Sequence, residues 1–222
     1  MAADKRKAGG PKRPRRGKER AVRKGAGSGR KGGPFPERLA TILGEITSTL
    51  EGARPEQADA LARAIVKARR VYVGGVGRSG LVSACFAMRL VHLGLVAHVV
   101  GEATAPGLGR GDLLVMSSGS GRTRTVLAQA QAARSRGARV AVVTADGRSP
   151  VARAADVVVE VPCPPFAGPP RGAKGAGVAT VQPGGALFEQ ALLVFYDGLI
   201  LDLADRLDWS PKMLKVRHSN LE

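Results

Sequence analysis

Residues 113–123 read LLVMSSGSGRT, an apolar run that passes directly into a loop rich in serine and glycine. The apolar run has the length of a buried strand, and the residues after the loop repeat apolar side chains at helical spacing. Hydroxyl groups and the free N–H groups at the start of a helix can together hold a phosphate monoester. A lysine of the Gly-Lys-Ser/Thr type is missing, so the pattern does not indicate a metal-dependent nucleotide loop. We therefore predict a phosphate-binding loop in which Ser118, Gly119, Ser120 and Thr123 contact the anion.

A second anion-binding turn is predicted at residues 74–80, GGVGRSG, which follow a short apolar run and open another helical pattern. Its glycines fit the G-x-G-x-x-G pattern of dinucleotide-binding domains, and Glu102 stands where an acid could bind a ribose. The same turn suits any anion, because glycine allows close approach and the helix start presents free N–H groups. We predict that Gly77, Arg78 and Ser79 take part in phosphate binding.

The order of elements along the chain predicts an α/β fold. Apolar runs at 71–73, 95–100, 113–117, 140–144 and 157–161 alternate with helical patterns at 79–93, 123–136 and 149–155. Uniformly apolar strands between helices are typical of a parallel sheet covered on both faces. We predict a doubly wound, five-stranded parallel sheet with the flavodoxin-like order 2-1-3-4-5. Both loops then border one crevice at the carboxyl end of the sheet. A sugar phosphate would use both loops, whereas NAD needs only the first, so the pattern favours a sugar phosphate.

The remaining predicted elements are helices at 36–50, 55–69 and 184–207, a loop at 162–183 rich in proline and glycine, and a short last helix from Ser210. The 184–207 helix is apolar nearly all round, which indicates burial against a neighbouring subunit. Residues 35–222 are therefore predicted to form one domain that assembles into a homo-oligomer.

The N-terminal segment, residues 1–34, is predicted to be a disordered tail. Residues 1–31 hold 13 lysines and arginines against Asp4 and Glu19, a net charge of +11, whereas the whole chain of 222 residues carries +17. The tail has almost no apolar side chains to bury. Such a tail either makes weak, salt-sensitive, non-specific contacts with nucleic acid or is a solvated extension without a specific partner.

Composition predicts a globular protein of the cytoplasm. Hydrophobic residues make up 44% of the chain, and no apolar run approaches the roughly 18–20 residues that span a bilayer. The basic N-terminus has no apolar stretch behind it, so a secretory signal peptide is not indicated. Cys85 and Cys163 lack metal-type spacing. We therefore expect a cytoplasmic protein that contacts no membrane and holds no metal.

Several short segments together resemble the 6-phospho-3-hexuloisomerase family, whose members contain a sugar isomerase (SIS) domain. The segments are GRSG (77–80), AMRLVHLG (87–94), VGE (100–102), GDLL (111–114), SGSGRT (118–123), LFE (187–189) and RHSNLE (217–222). The serine loop alone is typical of the wider superfamily, while the 87–94 segment and the ending are more specific. The chain departs from the usual pattern at Arg122, where an acidic or small polar residue is usual, and at Ala186, where threonine is usual.

The resemblance covers about residues 36–222 and implies a tetrameric isomerase. Its reaction would interconvert D-arabino-hex-3-ulose 6-phosphate and fructose 6-phosphate, the second step of formaldehyde fixation through ribulose monophosphate. Two alternatives share the fold: a non-catalytic sensor of sugar phosphates, and another aldose–ketose isomerase such as an arabinose-5-phosphate isomerase.

The implied reaction sets the chemistry that the side chains must perform. Moving the ketone from C3 to C2 requires removal of the C2 proton and return of a proton to C3 through an enediolate. This needs one base and a group that handles the hydroxyl protons, without a redox cofactor or a metal. We predict Glu189, an acid in an otherwise apolar helix, as the base. His218 is predicted as the proton shuttle, reaching a neighbouring subunit's site, and Arg78 would offset negative charge.

The other two histidines are predicted to be structural. His92 lies on a helical face with Leu81, Cys85 and Met88, which indicates a packed core or interface position. His98 lies within a predicted strand and is expected to pack there.

Overall fold

The computed structural model describes residues 33–164 and 180–210. The predicted tail up to residue 32, most of the predicted 162–183 loop, the short helix expected after Ser210, and His218 lie outside the described residues. The elements in chain order are α1 (Phe35–Glu51), α2 (Pro55–Lys67), β1 (Val71–Gly75), α3 (Arg78–His92), β2 (Ala97–Val99), β3 (Leu113–Ser117), α4 (Arg124–Ser135), β4 (Arg139–Thr144), α5 (Pro150–Arg153), β5 (Val157–Glu160) and α6 (Ala186–Arg206).

The predicted sheet is confirmed in strand number, direction and order. All pairings are parallel, and the order is β2-β1-β3-β4-β5. Four of the five strands are almost entirely apolar, as expected where helices cover both faces of a sheet. The register pairs Gly75, the last residue of β1, with Ser117, the last residue of β3. The two predicted anion-binding loops therefore leave the sheet at the same level, side by side at the switch point.

Helices cover both faces of the sheet. One face packs against α2, α3 and α6, whose buried side chains include Leu61, Phe86, Leu90, Leu192 and Tyr196. The other face packs mainly against α4, through a buried stripe of Val126, Ala130 and Ala133. Within the described ranges, the helices lack the length and apolar character that crossing a membrane requires.

Strand β2 is shorter than predicted, spanning three residues rather than 95–100. Its start is used otherwise: the Leu95 N–H donates to the carbonyl of Leu90 at 3.0 Å. Gly94, with φ 93°, makes the left-handed turn that allows this helix ending. An apolar run alone cannot distinguish a helix C-terminus of this kind from the first residues of a strand.

The predicted apolar face of α3 is not its core face in the folded chain. Leu81 is 69% exposed and Met88 is 47% exposed, and Cys85 is also exposed. The buried side of the helix carries Ser83 and Phe86 instead, together with small or apolar neighbours. His92 is buried, as predicted, but it does not share that burial with the other three residues.

The connection from β2 to β3 contains no helix, and a buried carboxylate holds its end. Asp112 accepts hydrogen bonds from Arg69 at 3.1 and 3.3 Å and from Arg70 at 3.1 and 2.8 Å. The Gly109 N–H donates to the same carboxylate at 2.9 Å. Arg70 also donates to the carbonyl of Gly107 at 3.0 Å. These contacts tie the connection to the start of β1.

Candidate active site at the switch point

The glycine turn lies against the end of β3, and its shape explains its glycines. A Cβ at position 80 would lie 2.7 Å from the carbonyl oxygen of Gly75, and one at 75 would lie 3.0 Å from that of Ser117. Gly77, with φ 62°, is the N-cap of α3. A larger residue at 75 would push the turn away from the end of β3, and a larger residue at 80 would open the turn itself. The first loop is therefore held close to the second one, as predicted.

The serine loop is built from its own hydrogen bonds. The Gly121 N–H donates to the hydroxyl of Ser118 at 3.2 Å, and that hydroxyl lies 3.1 Å from the Oγ1 of Thr123. Ser118 is buried, whereas Ser120 is exposed. Gly121 has φ 58°, and a Cβ there would collide with Ser149. The loop is thus a preformed structure whose exposed part is centred on Ser120.

Helices α3 and α4 begin directly after these two loops, and the first turn of each carries a charge that is unfavourable for an isolated helix. Each begins with an arginine, Arg78 or Arg124, and neither has an acid in its first turn. Within residues 33–164 and 180–210, no side chain caps either helix. A positive end of a helix dipole next to a cation is unfavourable unless an anion binds there. By contrast, α5 is capped by the hydroxyl of Ser149, which accepts from the Ala152 N–H at 3.3 Å.

Two of the predicted functional side chains meet at this point. Arg78 Nη1 lies 2.9 Å from Glu189 Oε2, and the Glu189 side chain is 18% exposed. Glu189 belongs to the first turn of α6. The adjacent Phe188 packs on the serine loop, because a Cβ at Gly119 would lie 3.0 Å from its ring. The predicted base therefore stands between the glycine turn and the serine loop.

Other predicted positions lie away from this edge. His92 is at the far end of α3, 14 positions after Arg78, which corresponds to about 21 Å of helix. Its carbonyl accepts a hydrogen bond from the Trp209 indole N–H at 3.2 Å. His98 packs against Tyr72 with ring centroids 5.1 Å apart. Glu102, the candidate ribose acid, is exposed.

Sequence reasoning placed Ser117 in the phosphate loop, but it missed Ser83 and Tyr196 and the group of buried hydroxyls that the three residues form directly beneath the site. Ser117 Oγ lies 2.8 Å from Ser83 Oγ and 2.7 Å from Tyr196 Oη. Burial raises the pKa of Tyr196, and its hydrogen-bond contacts with Ser117 and Ser83 oppose this only in part. A serine in the middle of a helix and a tyrosine seven residues after Glu189 are the signals that could have indicated this group.

Arg122, the residue at which the loop departs from the usual pattern, is paired across the loop mouth. Its guanidinium lies 3.0 Å from the Asp146 carboxylate, which follows β4. The backbone N–H of Arg122 donates to Ser120 Oγ at 3.2 Å. Sequence reasoning did not identify Asp146, because nothing in its surroundings marks it as a partner of a residue 24 positions earlier.

Two cavities lie away from the loops. One, of about 330 Å³, lies between the β2–β3 connection and α4 beside Tyr72. The other, of about 320 Å³, lies between the ends of α3 and α6 beside Trp209. In the part of the chain that the structure describes, no group of three or more His, Cys, Asp or Glu side chains is arranged to hold a metal ion.

Comparison with known proteins gives a consistent result. Residues 64–191 match the family model of the SIS domain. The 3-hexulose-6-phosphate isomerase of Bacillus subtilis (strain 168) is 38% identical over 186 residues, which cover 84% of this chain and 98% of that protein. The enzyme of the same name from Mycobacterium gastri is 40% identical over 191 residues, covering 86% and 93%. A crystal structure of a hypothetical protein from Methanococcus jannaschii, whose inferred function is 3-hexulose-6-phosphate isomerase, aligns with TM-score 0.70 and 32% identity, covering 84% and 99%.

Proposed function

Because the chain belongs to the SIS domain family and, within it, to the 3-hexulose-6-phosphate isomerases, we propose that this isomerase interconverts D-arabino-hex-3-ulose 6-phosphate and fructose 6-phosphate. The reaction would be the second step of formaldehyde fixation through ribulose monophosphate. The single observation that carries the proposal is the Arg78–Glu189 pair, 2.9 Å apart beside the two loops that are predicted to bind the anion. It brings a base and a cation to the place where a bound phosphate would hold the sugar chain.

The phosphate is proposed to bind between the helix N-termini of α3 and α4. Gly77, Ser79 and Gly119 would offer backbone N–H groups, because small residues allow the anion to approach closely. Ser120 would donate its exposed hydroxyl. Arg78 would add positive charge from the start of α3.

Ser118 and Thr123 have a supporting part in this proposal. Their hydroxyls lie 3.1 Å from each other and the Ser118 hydroxyl also accepts from the Gly121 N–H. A serine hydroxyl has two acceptor lone pairs and one proton. Either hydroxyl can therefore turn its proton toward a bound phosphate without breaking the bond to Gly121.

Proton transfer is assigned to Glu189. Its carboxylate would take the proton from C2 of the open-chain sugar and return one to C3 after the enediolate has formed. Arg78 would remain beside the carboxylate and stabilise the negative charge that appears on the enediolate oxygens. In hex-3-ulose 6-phosphate, O6 carries the phosphate and cannot close a ring onto the C3 ketone, so the open-chain form of this sugar is the expected substrate. His218, at the end of the chain, remains the proposed shuttle for the hydroxyl protons.

The test is a coupled assay on the purified protein. Hex-3-ulose 6-phosphate is generated enzymatically, and the fructose 6-phosphate formed is converted to glucose 6-phosphate and read as NADPH. Glu189→Gln should lower kcat by roughly 100-fold or more, as loss of a general base does. The matched control is Asp205→Asn, which removes an exposed carboxylate from the same helix and should leave kcat unchanged. A wild-type rate no better than that of Glu189→Gln would contradict the assignment.

A further inference from the structure

Three buried hydroxyl groups link the elements that carry the proposed site. Ser83 of α3 and Ser117 of β3 are 0% exposed, and Tyr196 of α6 is 1% exposed. Tyr196 Oη lies 2.7 Å from Ser117 Oγ, which lies 2.8 Å from Ser83 Oγ. Ser83 Oγ in turn lies 2.9 Å from the carbonyl oxygen of Ser79 and 3.3 Å from that of Gly74.

Counting protons fixes the direction of these bonds. Each hydroxyl has one proton to donate. The carbonyl groups of Gly74 and Ser79 can only accept, so the single proton of Ser83 points to them. Ser117 must therefore donate to Ser83, and Tyr196 must donate to Ser117. The result is a one-way chain that begins at the phenol of α6 and ends on the backbone of the glycine turn.

The positions of the three hydroxyls relate this chain to the site. Tyr196 is seven residues after Glu189, which places both on the same side of α6. Ser117 directly precedes the serine loop. The two carbonyl groups that accept the last hydrogen bond are those of Gly74 and Ser79. They belong to the first and next-to-last residues of the 74–80 turn, which includes Arg78.

We propose that Tyr196, Ser117 and Ser83 are positioning residues that hold Glu189 in register with the serine loop and the glycine turn. This inference rests on the proposed function of Glu189. Buried hydrogen bonds suit this task. If α3, β3 or α6 shifted relative to the other two, a buried hydroxyl would lose its partner, at a substantial energetic cost. None of the three residues contacts the substrate in this proposal.

Because the hydrogen bonds run in one direction, we predict that substitutions of the three hydroxyl residues affect the enzyme unequally. Ser117→Ala removes the acceptor that lies 2.7 Å from the buried Tyr196 hydroxyl, and Ser83→Ala removes the acceptor of Ser117. Tyr196→Phe only removes the first donor and leaves the downstream bonds intact. Removing both partners of a buried bond costs less than removing one. Adding Tyr196→Phe to Ser117→Ala should therefore restore much of the kcat that Ser117→Ala loses.

The experiment measures kcat, KM and the urea midpoint for these four variants and for the control Tyr72→Phe. Tyr72 is also a buried tyrosine, but it packs on the opposite face of the sheet. Ser117→Ala and Ser83→Ala should lower kcat by about tenfold or more while KM stays within about twofold, because misplacement affects the reacting geometry rather than phosphate binding. Tyr196→Phe and the double variant should lose about threefold or less in kcat, and Tyr72→Phe should match the wild type.

The inference is overturned if Ser117→Ala retains the wild-type kcat, or if the kcat of the double variant is no higher than that of Ser117→Ala.

A second readout does not depend on turnover. In protein with ¹³C-labelled glutamate carboxyl groups, inorganic phosphate should shift the Glu189 signal, which Glu189→Gln identifies. Ser117→Ala should abolish this shift and the double variant should restore it. A wild-type protein without isomerase activity that still shows this pattern would overturn the proposed function but not the positioning role. A shift that persists in Ser117→Ala would overturn the positioning role itself.

Discussion

The carboxylate of Asp112, the residue before β3, is buried and is paired with the guanidinium groups of Arg69 and Arg70. Burial alone would raise the pKa of this carboxyl, but hydrogen bonds from Arg70, Arg69 and the Gly109 N–H outweigh it and hold the pKa at about 2. A carboxyl whose pKa is lower in the folded chain than in the unfolded chain stabilises the fold above the unfolded value. The difference from the ordinary value of 3.8 corresponds to about 2 kcal/mol at neutral pH.

We predict that this stabilisation disappears in acid. It should be fully present above about pH 5 and should fade as the pH falls through the folded pKa of about 2. Asp112→Asn should therefore lower the free energy of unfolding by about 2 kcal/mol at pH 7, with a much smaller difference from the wild type near pH 2. Urea unfolding across this pH range measures both. A difference that stays constant from pH 7 to pH 2 would show that the carboxylate charge has no part in it.

Single residues also show where the sequence could indicate the site. Arg78 and Glu189 were both predicted from their local patterns, at a helix start and in an apolar helix. Their contact joins residues 111 positions apart, which no local pattern contains. Ser83 remained unnoticed, and Ser117 was assigned to the phosphate loop, because a serine in a sequence is equally compatible with a surface, a cap or a buried bond.

At the level of elements, the strands and helices were largely predictable because apolar periodicity and glycine turns act locally. The buried face of α3 was not predictable in this way. Its sheet-facing side uses Ser83 beside Phe86, so the polar residue that breaks the apolar pattern is a buried one. The apolar residues Leu81 and Met88 lie on the outside instead.

Glu45 of α1 anchors the chain just before α6. Burial would raise its pKa, but hydrogen bonds from Gln182, the Val181 N–H and Thr180 outweigh it and keep the pKa low. The donor distances to its carboxylate are 2.9, 2.9 and 2.7 Å. Gln190, the neighbour of Glu189 in α6, donates to Gln182 at 2.6 Å. Glu45 therefore helps to fix the start of the helix that carries the proposed base.

We predict that Glu45→Ala loosens this junction. Three donors lose their acceptor, and the free energy of unfolding should fall by about 1–2 kcal/mol. Amide exchange at Val181 should become faster, as measured by NMR. The control Glu51→Ala removes an exposed acid from the last turn of α1. It should change the free energy of unfolding by no more than about 0.5 kcal/mol and should leave amide exchange at Val181 as it is in the wild type. Unchanged exchange at Val181 in Glu45→Ala would contradict the anchoring role.

At the level of the whole molecule, the outer side of α3 and α6 is more apolar than a free surface requires. In α6, Leu201 is 70% exposed, Val194 46% and Leu193 39%, and in α3 Leu81 is 69% exposed. Apolar residues clustered on outer helix faces commonly mark interfaces between subunits. This agrees with the expectation, drawn from the α6 pattern, that a neighbouring subunit completes the burial of this helix.

We predict that the 23.0 kDa chain sediments as a tetramer and that Leu201→Glu shifts it to smaller species, because a charge in an apolar interface is costly to bury. Ala128→Glu is the control, since residue 128 lies on the exposed outer side of α4. Analytical ultracentrifugation measures the masses. A monomeric wild-type protein, or a Leu201→Glu variant that sediments like the wild type, would contradict this prediction.

The most direct test of the account is the position at which the enzyme introduces deuterium. Fructose 6-phosphate is incubated with the protein in D₂O and examined by NMR. Reversible enediolate chemistry between C2 and C3 predicts deuterium at C3, at a rate that Glu189→Gln lowers by roughly 100-fold or more. Deuterium at C1 would indicate an aldose–ketose isomerase instead. A wild-type protein that neither incorporates deuterium nor forms hex-3-ulose 6-phosphate would contradict proton transfer by Glu189 altogether.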